Sequence, residues 1–143
     1  MNALFALETH LKLAGLSLIG LAIMHGFLGE RFAWKDELSR ISLLNRQIFY
    51  AHTFFIALIL LLLGFLSLFD TGALLEKTAL SRDFCGGVTL FWLCRWIFQF
   101  WVYDSSLWRG KRFETRVHVL FSLLWTYYVA VYGLAFWHQL APA

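Results

Sequence analysis

No aspartate or glutamate falls inside any of the four long apolar stretches of this 143-residue chain, and only 15% of its residues are charged. Soluble domains carry about 25% charged residues, so the scarcity argues against a water-exposed globule. One proline and 10 glycines leave little material for long linkers or a disordered tail. Two cysteines, Cys85 and Cys94, stand nine apart in one helical segment. The rise between them, about 13.5 Å, exceeds disulfide reach, and they read as small buried hydrophobes. The chain also lacks C-x-x-C-H, H-E-x-x-H, G-x-G-x-x-G and the histidine boxes of a membrane di-iron oxidase. No internal repeat breaks it up, and a single domain over residues 1–143 is expected.

What the chain has instead is apolar surface: 60% hydrophobic residues, with 15 Phe, 7 Trp and 5 Tyr. A membrane-spanning helix needs about 20 mostly apolar residues to cross roughly 30 Å of hydrocarbon. Residues 11–29, 47–69, 84–103 and 117–137 each satisfy this. The connections are short, so the expected fold is all-α: an integral membrane four-helix antiparallel bundle. The first stretch is long, no small-residue cleavage site follows it and no strongly basic run precedes it. It reads as a retained span rather than a signal peptide.

Eight of the 12 basic residues fall in two loops. "ERFAWKDELSRISLLNR" carries Arg31, Lys35, Arg40 and Arg46; "SSLWRGKRFETR" carries Arg109, Lys111, Arg112 and Arg116. The positive-inside rule puts both loops in the cytoplasm and both termini outside. The location expected from this is a bacterial inner (cytoplasmic) membrane. The net charge of +3 forms no continuous basic face, which argues against a nucleic-acid partner. Trp34, Leu38 and Ile41 recur at helical spacing in the first loop. They fit a short helix lying in the membrane interface or, equally, a solvated turn.

With that topology, His25, His52 and His118 fall within roughly 10 Å of one leaflet surface at 1.5 Å per residue. His25 shares a face with Ala14, Leu18, Ala22 and Gly29, and Asn45 precedes His52 on nearly one face. His118 opens a stripe through Ser122, Thr126, Val129 and Gly133, and polar stripes in lipid face protein. The three histidines are expected to project into one pocket near the cytoplasmic side, lined by Ser122 and Gln99. Neutral imidazoles ligate haem iron and other metals, and helical bundles are a common frame for such sites. His25, His52 and His118 are therefore the candidate metal ligands. Glu30 lies near but in the loop, and His10 and His138 read as interfacial polar residues toward the other leaflet.

Arg95 is the cation deep inside a span; Lys12 stands only at the edge of the first. A charge at mid-membrane costs roughly 3 kcal/mol on insertion scales, so it needs a partner. Asp104, nine residues on, points about 180° away at 100° per residue and is expected to cap the loop or pair with its arginines. Three partners remain. Arg95 can satisfy itself on backbone carbonyls, Gln99, tyrosine hydroxyls and tryptophan faces. It can meet an anionic ligand group: a haem propionate, a lipid phosphate or a quinone head. Or it can meet a carboxylate of a partner subunit.

Two axial histidines, small and aromatic packing and an arginine for a propionate are what a b-type haem requires. The arrangement resembles four-helix membrane cytochromes b in architecture, without their motifs. The first expectation is haem b bound through His25, His52, His118, Arg95 and Gln99, passing electrons to or from quinone. The alternatives are an accessory subunit of a larger membrane complex, and a protein that binds or modifies a lipid-soluble substrate. Expected partners are membrane lipid, quinone and further subunits or copies of the chain. An ion path is disfavoured, because no inward carboxylate, broken helix or inverted repeat is present. Composition does not decide whether the chain is an enzyme.

Overall fold

The computed structural model describes residues 3–140, and every regular element among them is helical. Helix α1 spans Ala3–Arg31, α2 Trp34–Glu37, α3 Leu43–Phe69, α4 Thr71–Leu75, α5 Ala79–Trp101 and α6 Arg112–Leu140. Three stretches are long and apolar enough to cross a membrane: Leu4–Arg31, Leu43–Phe69 and Arg112–Leu140. They contain the expected spans 11–29, 47–69 and 117–137, with the helix running on through their polar flanks. The expected span 84–103 is helical as far as Trp101, within α5, but α5 is not among the three, since Arg95, Gln99 and its tryptophans lower its apolarity. Among the described residues six α-helices stand where four were expected, the additions being the single-turn α2 and α4.

Side-chain oxygens start several of these elements. Ser42 accepts from the Asn45 N–H ahead of α3, and Thr78 accepts from the Ser81 N–H ahead of α5. Each satisfies a first-turn donor that the helix leaves unpaired. The loop after α5 is turned by Asp104, whose carboxylate accepts from the Ser106 N–H at 2.7 Å.

The chain divides into two compact units: Leu11–Thr71 in one, and the chain up to His10 and from Gly72 onward in the other. In the first, α1 and α3 touch backbone to backbone. A Cβ placed on Gly15 would lie 2.7 Å from the Gly64 carbonyl oxygen and 2.8 Å from the Leu68 nitrogen. One on Gly64 would lie 2.9 Å from the Gly15 oxygen. Small residues make such an approach possible, and close van der Waals packing is what joins helices in lipid. In the loop of this unit the helical part is short: the single turn α2 is followed by a 3-10 turn over Leu38–Arg40, and Ile41 lies beyond both in extended backbone. Trp34 sets its ring edge-on against Phe49 at 4.8 Å. Ala33 bends the chain into α2 at φ 49°, a left-handed conformation that a Cβ disfavours.

In the second unit α5 and α6 form an antiparallel hairpin. Contacts that climb α5 descend α6: Gly86 with Phe136, Thr89 with Gly133, Trp92 with Tyr128, Gln99 with His118. Trp92 and Trp125 are both buried and stack at 5.2 Å and 14°. Such a pair adds about 0.5–1.5 kcal/mol beyond its area. The carbonyls of Ala73 and Leu74 at the end of α4 accept from Ser81 Oγ and Gln139 Nε2 respectively, at 2.7 and 2.8 Å. They tie the α4–α5 elbow to the far end of α6.

Gly15 and Gly20 separate packing from propensity. Gly15→Ala should lower the stability of the detergent-solubilised protein by about 1–3 kcal/mol, because backbone must move to admit the methyl. Nothing lies within 4 Å of a Cβ at Gly20, so Gly20→Ala should leave the melting temperature unchanged or raised. Equal losses at both positions would remove the close crossing.

Candidate functional site

Arg95 stands six residues before the end of α5, about 9 Å along the axis. That is nearer the loop than the mid-membrane position expected from the apolar run. Its side chain also leans that way, against the usual tilt of helical side chains toward the N-terminus. The guanidinium carbon sits 5.4 Å from the Tyr103 ring centroid and 4.8 Å from that of Trp125. This is a snorkelling posture, with two aromatic faces as walls.

Gln99 joins the arginine to the other helix. Its Oε1 accepts from Arg95 at 3.3 Å and from the Trp125 indole N–H at 3.2 Å. Both partners are donors only, so the oxygen must face them and the amide nitrogen must face the other way. There it donates to His118 Nδ1 at 2.8 Å. His118 therefore accepts with Nδ1 and carries its proton on Nε2. Its ring lies flat on Trp108, with centroids 3.9 Å apart and planes 10° apart.

This state matters for ligation. A histidine that binds a metal through Nε2 ordinarily donates its Nδ1–H to an acceptor. His118 has the reverse arrangement. His25 has the ordinary one: its Nδ1 lies 2.8 Å from the Leu21 carbonyl oxygen, which can only accept, so in the neutral ring Nε2 keeps its lone pair. His52 is exposed. Among the described residues, no group of three or more His, Cys, Asp or Glu is placed to hold a metal ion. Metal ligation by His25, His52 and His118 thus rests on the sequence pattern alone. Of the five expected site residues, Arg95, Gln99 and His118 come together; His25 and His52 belong to the Leu11–Thr71 unit.

The rest of the polar stripe satisfies itself. Ser122 donates to the His118 carbonyl and Thr126 to that of Ser122, each at 2.8 Å. Thr126 also accepts from the Trp96 indole at 3.0 Å. His10 meets the Tyr127 hydroxyl at 3.2 Å. Both cysteines are free; Cys85 is buried as expected, but Cys94 is exposed on the outside of the hairpin. Trp125, Trp108 and Tyr103 are the site residues that the sequence reading passed over or left without a role. Trp125 lies seven residues beyond His118, two helical turns along the same face, and that spacing was the available signal.

Asp104 pairs with the loop rather than with Arg95. The Ser106 N–H, helped by the Ser106 hydroxyl and Arg109, holds its carboxyl below the usual carboxylate range. A folded value below the unfolded one stabilises the loop turn at pH above the unfolded value, about 3.9. The stabilisation disappears as pH falls through the folded value. Melting curves of wild type and Asp104→Asn should converge in acid and differ at neutral pH. Curves that stay parallel would show that the turn does not use the charge.

The amide link is testable too. Gln99→Leu strands the buried Trp125 N–H and should cost about 1–3 kcal/mol. His118→Phe, which keeps the stack on Trp108, should cost less. The reverse order in chemical denaturation would shift the centre of the cluster from Gln99 to His118.

Compared with known proteins, the chain matches no family model, no curated protein sequence and no solved structure.

Proposed function

We propose that this membrane protein binds the polar head of a lipid-soluble molecule at the Arg95–Gln99–His118 cluster. One observation carries the reading. Arg95 spends a single N–H of its five on the protein, and no carboxylate pairs with it among the described residues. Aromatic faces hold the guanidinium in place without neutralising it. A planar group bearing carbonyls or an anion, such as a quinone head or a lipid phosphate, can take the remaining donors, and the Nε2–H of His118 offers one more. In this reading α5 is a fourth span, both basic loops are cytoplasmic and both termini are outside. Its 23 residues reach about 34 Å, enough to cross.

Haem b ligation with electron transfer to quinone is the second reading, and His25 is the observation in its favour. Its Nε2 lone pair is free to ligate, and Arg95 would then meet a propionate.

Purification in mild detergent, followed by an absorption spectrum and by solvent extraction with mass spectrometry, separates the two. Wild type should be colourless and retain an amphipathic molecule that Arg95→Gln loses while keeping its helicity. A Soret band in wild type that His25→Ala abolishes would replace the first reading with the second. No retained molecule, together with a lower melting temperature in Arg95→Gln, would make Arg95 a packed structural cation and end both. Reporter fusions at the C-terminus should be active only outside the cytoplasm.

A further inference from the structure

A concavity of about 370 Å³ opens where the loop after α5 runs into α6, lined by Gly110, Lys111, Arg112, Thr115 and Arg116. Three cations share it with no acidic residue in its wall. None of the three forms an ion pair among the described residues. The wall is built rather than left to chance. Gly110 turns at φ 79°, a conformation that favours glycine. Thr115 Oγ1 reaches the carbonyls of Trp108 and Lys111, each at 2.8 Å, and fixes the turn against the helix.

The surroundings select the partner. Leu107 and Phe113, on either side of the basic residues in sequence, are 53% and 58% exposed, and Trp101 at the end of α5 is 73% exposed. Cations set among exposed apolar and aromatic side chains at the end of a membrane-crossing helix are the composition of a membrane–water boundary. Anionic lipid surfaces attract such basic residues over about a Debye length. Inorganic phosphate could meet the cations but would leave the exposed Leu107 and Trp101 uncovered. A lipid offers acyl chain to the one group and phosphate to the other.

We propose that the Lys111–Arg112–Arg116 concavity binds the phosphate of an anionic phospholipid at the membrane surface. The site is separate from the Arg95 cluster and does not depend on its ligand.

The test reconstitutes the full chain in bilayers of phosphatidylcholine with phosphatidylglycerol and counts retained lipids by native mass spectrometry. Wild type and Arg95→Gln should both retain phosphatidylglycerol in preference to phosphatidylcholine. Combined Lys111→Gln, Arg112→Gln and Arg116→Gln should weaken that preference by about fivefold per cation removed. Arg116→Gln alone, a milder change should the triple variant not fold, should weaken it by about fivefold. Lys35→Gln with Arg40→Gln, which removes charge from the other basic loop, should leave it unchanged. Millimolar inorganic phosphate should not displace the lipid. Unchanged preference in Arg116→Gln and the triple variant would overturn the site. Displacement by inorganic phosphate would make it a free-phosphate site instead, and equal loss in the Lys35/Arg40 variant would reduce it to general surface charge. Loss in Arg95→Gln alone would return the lipid to the Arg95 cluster.

Discussion

The carboxamide of Gln99 can face only one way, because Arg95 and Trp125 both bring donors to its oxygen and neither can accept. That single orientation sets the proton position on His118, and with it what His118 can do. It also keeps the charge of Arg95 unshared. An amide disperses a guanidinium's field without cancelling it, so the cluster stays cationic although every protein partner in it is neutral. Replacing the amide by a carboxylate would keep most of the shape and remove that property.

Aromatic rings do two jobs in the same hairpin. Trp92 and Trp125 stack as ordinary packing, and Trp125 also presents a face to Arg95 and an N–H to Gln99. Lipid supplies little hydrophobic force between helices, so association rests on close contact and on hydrogen bonds. The two units meet that requirement differently. Gly15 and Gly64 bring backbones together by having no side chains, whereas α5 and α6 fill the space between them with indole rings and join across it through Gln99.

The helices were legible because long apolar runs bounded by charge leave few alternatives; the depth argument joined His25, His52 and His118, whereas Arg95 entered only as the neighbour of Gln99 on one helix side. Their contacts were less so. Periodicity placed Arg95 and Gln99 on one side of a helix but not the reach of a long, flexible side chain, which bends toward Tyr103 and the helix end. The polar stripe through Ser122 and Thr126 looked like a lining. Hydroxyls four residues apart on a helix can instead return to their own backbone, and these do. Trp108 could not be found this way, since a loop residue has no period and its stack on His118 depends on a turn fixed by Thr115 and Gly110. Cys94 shows the limit of composition: cysteine is commonly buried, yet a helix facing lipid exposes apolar side chains at no penalty.

The modest apolarity of α5 has a consequence for how the protein enters a membrane. A helix carrying an unpaired guanidinium partitions poorly by itself, and α5 would leave a protein-conducting channel reluctantly if it had to do so first. Its remedy lies in the next helix: Trp125 on α6 supplies the aromatic face, and only ten residues of chain separate the two. In the proposed reading with α5 as a fourth span, biogenesis would favour α5 waiting at the channel until α6 emerges, so that the hairpin moves laterally into lipid as one object with Arg95 already sheltered. The order of synthesis, rather than the final fold alone, would account for an arginine surviving in that helix.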